Sequence, residues 1–253
     1  MTFDVAADSY GRFMGRYSEQ LAAQFVDRAG IIAGQQALDV GCGPGAVTAV
    51  LVERLGADRV CAVEPSAPFL DAVRARLPQV EVRQSSAKHL PYDDDRFDAA
   101  VAQLVVHFMT DPVAGLREMA RVTRPGGVVT ACVWDYAGER SPLSAFWQVV
   151  RALDPDAPTE AHLAGARAGH LEELFEAAGL KEVRGGELEV RVRYESFEEW
   201  WAPYLLGVGP AGDHVQALDE TAREHLREGC RAALPEPPFD VHATAWCATG
   251  VVP

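Results

Sequence analysis

The chain is short of basic charge. Its 23 lysines and arginines stand against 37 acids, a formal net charge of -14 at pH 7, so there is no basic excess with which to neutralise a phosphate backbone. Nucleic acid is therefore not an expected partner, and a strongly anionic membrane surface is disfavoured for the same reason. Long hydrophobic runs are also missing. The longest candidate, around AAVAQLVVHFM, is interrupted by Gln103 and His107, so no membrane span is expected. The opening MTFDVAADSYGRFMGRYSEQ has acids and no apolar core, unlike a secretory signal. The five cysteines, Cys42, Cys61, Cys132, Cys230 and Cys247, are odd in number, scattered, and without a C-x-x-C pair. That pattern argues against a disulfide framework and a zinc site, and the expected compartment is a reducing cytoplasm. His162, His170, His214, His225 and His242 show no metal-ligand spacing, so no metal is expected. There is no internal repeat and no low-complexity tract.

What remains is an ordinary globular composition. With 48% hydrophobic residues over 253 positions, the chain can bury a sizeable core. Ser18, followed by apolar Leu21, Phe25 and Val26 and then Gly30, predicts an N-capped amphipathic helix with a glycine stop. ALDV reads as a short strand and leads through a glycine turn into a helix carrying Val47, Val50 and Leu51. RVCAVEP is a second strand, closed by Pro65, after which Ser66 caps a helix running to Pro78. QVEVRQ is a third strand and FDAAVAQLVV a fourth. Asp111 and Pro112 open the next helix, which ends before RPGG. GVVTACVW is a fifth strand, nearly all apolar, as in a strand covered on both faces. Such alternation predicts an α/β fold, a parallel sheet wrapped by helices, with the ligand at the carboxyl ends of the strands near the topological switch point. After residue 134 the rhythm changes. HLEELFEAAGL predicts a helix stopped by Gly179, ELEVRVRY a strand with one wet face, and VHATAWCATGVV a last strand. The helical stretch 195–236 between those strands is the candidate lid.

The turn GCGPG, between ALDV and its helix, decides what the ligand is. Gly41, Gly43 and Ala46 are formally compatible with a dinucleotide fingerprint. Two features oppose it: Pro44 removes one N–H from the turn, and Asp39 sets a carboxylate where a pyrophosphate would be repelled. An acid there suits a positive group. Glu64, ending the second strand, sits near the spacing at which an acid accepts both hydroxyls of a ribose. A nucleoside with a cationic arm and no phosphate fits, and S-adenosylmethionine has that description.

The ordered set LDVGCGPG, VEPS, FDAAVAQLVVHFMTDP and RVTRPGG resembles the class I S-adenosylmethionine-dependent methyltransferases, in particular the methyltransferase type 11 branch that includes the ubiquinone and menaquinone biosynthesis enzymes. The resemblance is strong over residues 10 to 135. It implies a Rossmann-like, mostly parallel seven-stranded sheet with helices on both faces, closed by a sixth and an antiparallel seventh strand. One methyltransferase domain would then span 1–253, with an N-terminal helical segment 1–30, a donor-binding core 37–135 and the 195–236 insertion, the two helical parts forming the lid. It further implies that Asp39 and the turn Gly41, Cys42, Gly43 and Gly45 hold the methionyl part, and that Glu64 takes the ribose with Pro65 and Ser66 alongside the adenosine. Gln103 and Leu104 would line the donor pocket. In SSAKHLPY the chain departs from the family: Ser86, followed by Ala87, stands where an acid usually accepts the adenine amino group, and a neutral hydroxyl makes a weaker bond. Tyr10 and Tyr17 lie in the leading segment that folds over the donor site in this family, and Tyr17 is a candidate contact. The product form of the cofactor would be S-adenosylhomocysteine.

Each candidate has a plainer alternative. Asp39 can tie down the turn's own amides. Cys42 suits a small packing position. His107, in an apolar run near the transfer face, is either a base acting on the acceptor or a buried histidine that shapes the pocket. Trp200, Trp201 and Tyr204 are either an acceptor wall or a helix's core face. The expected function is methyl transfer to a small hydrophobic molecule, a secondary metabolite or a quinone-like ring. Its rivals are a protein of the same fold that binds the donor without methylating, and a nicotinamide-dependent oxidoreductase, for which Pro44 and Asp39 give no support. The sequence leaves the oligomeric state open.

Overall fold

The computed structural model describes residues 7–157 and 159–253. The first six residues of the 1–30 segment lie outside the described residues. The rest of that segment is one helical run: α1 (Ala7–Tyr10), a π-helical turn (Gly11–Gly15) and α2 (Arg16–Arg28). Ser18 is therefore not an N-cap. It lies inside α2, where its hydroxyl donates to the Gly15 carbonyl at 3.3 Å, because the preceding turn already satisfies the amides that a cap would serve. Gly30, with φ at +68°, follows the helix as expected.

Strand and helix then alternate: β1 (Ala37–Val40), α3 (Ala46–Leu55), β2 (Val60–Glu64), α4 (Ala67–Arg76), β3 (Glu81–Gln84), β4 (Phe97–Gln103), α5 (Pro112–Val122) and β5 (Thr123–Trp134). The Asp111 carboxylate accepts from Ala114 N–H at 3.0 Å and caps α5. The fourth strand is shorter than its apolar run suggests. Leu104 takes φ +59°, and Val106–Phe108 form a 3₁₀ turn. Leu104 N–H donates to Cys132 O at 2.9 Å, which fastens the strand end to β5 while the chain turns across the carboxyl edge of the sheet. The remaining elements are α6 (Ser144–Leu153), α7 (His170–Ala178), β6 (Lys181–Tyr194), α8 (Phe197–Trp201), α9 (Gly209–Ala217), α10 (Glu220–Ala233) and β7 (Phe239–Val251).

Among the described residues, the seven strands form one sheet in the order β3-β2-β1-β4-β5-β7-β6. The pairs from β3 to β5 are parallel, and β7 runs antiparallel to both β5 and β6. Every residue of β1 and β2 is buried, as the near-continuous apolar runs require of strands covered on both faces. From β1 the chain winds outward to β2 and β3, then returns to lay β4 on the other side of β1. A switch point follows between β1 and β4, at whose carboxyl ends a crevice opens.

Candidate active site

A cavity of about 240 Å³ occupies that crevice. Its walls come from the ends of three strands: Val40 and Gly41 after β1, Glu64 and Pro65 after β2, and Gln103 and Leu104 after β4. Ser86 and Ala87 from the loop after β3 line it as well, as do Tyr10 and Phe69. Of the residues expected there, Gly41, Gly43, Glu64, Pro65, Ser86, Ala87, Gln103 and Leu104 are thus brought together. Lys88, Val105, Phe108, Met109, Thr110, Asp111 and Gly115 complete the wall. The sequence pattern shows Asp111 only as a helix cap; no periodicity marks the others as ligand-facing.

The glycine turn spends its amides internally. Gly41 N–H and Cys42 N–H both donate to Val63 O, at 2.8 and 3.0 Å, and Gly45 N–H donates to Cys42 O at 3.0 Å. Gly43 N–H donates to Glu64 Oε2 at 2.8 Å, and Pro44 has no N–H. No amide from Gly41 to Gly45 is left to cradle a pyrophosphate. Ser66 N–H holds the other Glu64 oxygen at 2.8 Å. A carboxylate has about four lone-pair sites, so Glu64 is fixed in place and still able to accept two more hydrogen bonds. Burial pushes its carboxyl above the ordinary range, against the lowering effect of those two amides. Gln103 is pinned likewise: its amide nitrogen donates to Ser18 O at 3.0 Å, while its Oε1 is buried with no partner. A buried orphan acceptor on a cavity wall suits a donor-rich ligand group such as an ammonium.

Five expected contacts lie off this wall. Asp39 is 1% exposed and accepts from the Thr48 hydroxyl at 2.7 Å, so its carboxylate ties β1 to α3 behind the turn. Burial pushes it up to about 7. The neutral form therefore favours the folded state: this stabilisation is complete below about pH 4 and is lost as pH rises through 7. Asp39→Asn, which can still accept from Thr48, is expected to flatten that decline, read as urea midpoints at pH 5 and pH 8. Cys42 is buried, with its thiol toward Gly43 O at 3.6 Å, a packing residue. Gly45 is the left-handed residue that starts α3, at φ +91°. Ser66 contributes its backbone to Glu64 and holds the N-cap position of α4 without a side-chain capping bond. Tyr17 is 3% exposed and bonds Tyr194 hydroxyl to hydroxyl at 2.8 Å; it fastens α2 to β6, and Tyr10 reaches the cavity instead. Tyr17→Phe should thus cost about 1 kcal/mol of stability with nucleoside affinity unchanged, as measured by urea denaturation and calorimetry.

A second cavity of about 40 Å³ adjoins the first and shares Tyr10, Leu104 and Phe108 with it. His107 lines this one, along with Trp134, Tyr136 and Glu160. His107 is 6% exposed, its ring centroid 3.9 Å from that of Phe108, and burial pushes its imidazole down to about 3. Burial thus disfavours its protonated form, which weighs for the histidine that shapes the pocket over the base, the two alternatives open in the sequence. The insertion reaches the cavity through Val208 to Ala211 at the start of α9. Trp200, Trp201 and Tyr204 do not line it. They are 2–4% exposed and pack together, with Tyr204 stacked on Phe146 at 4.6 Å, so they are the insertion's core face. Tyr136 and Glu160 went unread in the sequence, because no motif or period surrounds either. Among the described residues no group of His, Cys, Asp and Glu is placed to hold a metal ion, and no helix is long and apolar enough to cross a membrane.

A seven-stranded Rossmann-like sheet closed by an antiparallel β7, with a crevice at the switch point, is the fold this chain presents to comparison with known proteins. Residues 38–131 match the family model described as "Methyltransferase domain". An uncharacterized methyltransferase of Mycobacterium bovis is 37% identical over 135 residues, covering 52% of this chain and 54% of its own length. The chain thus spans about half the length of the curated relatives it first matches. Among solved structures, YcgJ of Bacillus subtilis superposes with a TM-score of 0.59 at 17% identity, over 92% of this chain and 97% of that one. The [4+2]-cyclase SpnF superposes at 0.54 with 20% identity, over 92% and 80%. Residues 38–131 are thus similar to a methyltransferase domain, and the chain shares the fold of these solved structures.

Proposed function

We propose that the chain binds S-adenosylmethionine in the first cavity and moves its methyl group to a small, largely apolar molecule in the second. The observation that carries this reading is the Glu64 carboxylate, fixed by Gly43 and Ser66 amides at the end of β2 beside a turn with no amide free for a phosphate. Glu64 would accept the two ribose hydroxyls, and Gln103 Oε1 would accept from the ammonium of the methionyl arm. Ser86 and Ala87 would border the adenine, with Pro65 alongside.

The sulfonium, when bound, supplies a methyl group whose leaving group is already activated by positive charge. What the residues must do is align the two partners and exclude water, a proximity effect worth several kcal/mol. Leu104 and Phe108, common to both cavities, form the boundary across which transfer would occur. Phe13 and Met14 from the leading helix, with Val208 to Ala211 from the insertion, close the second cavity. Its mostly apolar walls favour an acceptor with little charge. All five cysteines are free and buried, which suits a reducing compartment, the cytoplasm. The test is calorimetric titration with S-adenosylmethionine, S-adenosylhomocysteine and NAD in parallel. Binding of the two adenosyl compounds and not NAD is expected; NAD binding alone would overturn the reading. A methyl-labelled donor then separates transfer from binding without transfer.

A further inference from the structure

We propose that Glu160 is the proton acceptor for the transfer, and that the acceptor is a compact ring bearing a phenolic or enolic hydroxyl. The proposal rests on the methyltransferase reading above and names the substrate chemistry of its second cavity.

Among the described residues, two buried polar atoms on residues lining that cavity have no hydrogen-bond partner: Trp134 Nε1 and His107 Nδ1. Buried polar atoms are nearly always paired, so such a coincidence in one cavity points to a ligand. An indole N–H can only donate, so the ligand must present an acceptor atom to Trp134. The same cavity holds a carboxylate. Glu160 is 6% exposed; its Oε2 accepts from Trp147 Nε1 at 2.6 Å, and the Tyr136 hydroxyl also bonds it. Both donors are neutral, so the carboxylate is available to take a proton.

A hydroxyl satisfies both demands, accepting from Trp134 through oxygen and releasing its proton to Glu160. An ammonium has no lone pair for the indole, and an ether has no proton to give. In the reaction the hydroxyl oxygen forms the new bond to the methyl carbon. The carbon–sulfur bond breaks with its pair left on sulfur, and the hydroxyl proton passes to the Glu160 carboxylate. Phe13, Leu104, Phe108 and Leu143 supply the flat apolar surround that suits a ring.

The electrostatics agree. Burial pushes Glu160 up to about 7, where a base works best near neutral pH, whereas His107, held near 3, takes up a proton poorly. Among the described residues, the titratable and hydrogen-bonding groups facing Glu160 are few. Tyr136 follows β5, Trp147 comes from α6 and Tyr204 from the turn after α8; Tyr10 and His107 lie across the cavity. On the outer side Arg151 and Glu139 border a small adjoining cavity and are paired with each other.

The experiment uses phenol and toluene, which share a shape and differ by the hydroxyl, in ligand-detected saturation-transfer NMR on the full chain with S-adenosylhomocysteine present. Phenol binding should tighten about five- to tenfold from pH 6 to pH 8 as the carboxyl ionises. In Glu160→Gln that dependence should vanish, and toluene should bind more weakly than phenol and without pH dependence. Toluene binding as tightly as phenol, or an unchanged pH dependence in Glu160→Gln, overturns the proposal. If Glu160→Gln does not fold, Tyr136→Phe serves: losing a bond that lowers the Glu160 carboxyl should move the midpoint upward, and an unmoved midpoint overturns the proposal. Calorimetry with S-adenosylhomocysteine on the same preparations keeps the two readings apart, since failure there with phenol behaving as stated removes the donor and leaves the hydroxyl site.

Discussion

Glu64→Ala is expected to weaken S-adenosylhomocysteine binding roughly 10- to 150-fold, the loss of about 1.5 to 3 kcal/mol from charge-assisted bonds to two hydroxyls. The magnitude follows from how the side chain is held. Gly43 and Ser66 amides fix both oxygens at 2.8 Å, so the carboxylate meets a ligand with little entropy left to lose. Alanine removes these bonds and also leaves two amides beside the cavity without their acceptor. Glu64→Gln provides the contrast. Its amide nitrogen must face either an amide N–H or a ribose hydroxyl, so it keeps shape and loses one acceptor site. An intermediate loss is expected for it. Calorimetry reads both, with thermal unfolding as the check on folding; unchanged affinity in a folded Glu64→Ala protein would remove Glu64 from the ligand site.

For Gly41→Ala a loss of about 2 to 5 kcal/mol in stability is expected, with donor binding lost at the temperature where the turn deforms. Two costs combine. Gly41 sits at φ +71°, where a side chain costs about 1 to 2 kcal/mol. A Cβ there would lie 2.7 Å from Val105 Cγ2 and 2.8 Å from its Cγ1, and such overpacking costs about 1 to 3 kcal/mol. Gly43 separates the two, because it has φ +53° and nothing within 4 Å of an added Cβ. Gly43→Ala should therefore show only the backbone part. Pairing Gly41→Ala with Val105→Ala should recover the steric part and no more, as a double-mutant cycle in urea would show. If Gly41→Ala proves no worse than Gly43→Ala, the close approach of Val105 does not govern the turn.

Much of the first cavity was legible because its signals are local. Alternating apolar runs and caps specify β1 through β5 and their helices, and Gly41, Glu64 and Gln103 fall at or just after strand ends, with Ser86 in the loop after β3, where the sheet must gather them. Local reading failed where a side chain had two partners to choose from. Asp39 occupies the motif position of a ligand contact, yet Thr48, nine residues on, takes its carboxylate. Ser18 has the residue type of a cap, but helix precedes it. Tyr17 and Tyr10 were equivalent as aromatic residues in a leading helix; Tyr194, on a strand far along the chain, settles which one turns inward.

The second cavity was decided by tertiary structure alone. It is assembled from α1 and its π-turn, the 3₁₀ turn after β4, the end of β5, the loop before α7 and the start of α9. No single segment carries the pattern of that wall. The sequence by itself determined the parallel α/β core, the switch-point crevice and the acid that ends β2, since backbone period and strand-end position fix these without reference to distant residues. Folding alone decided which polar groups face that crevice and which face protein, because a buried side chain goes to whichever partner satisfies it, and partners such as Thr48, Tyr194 and Trp147 are chosen by packing in space.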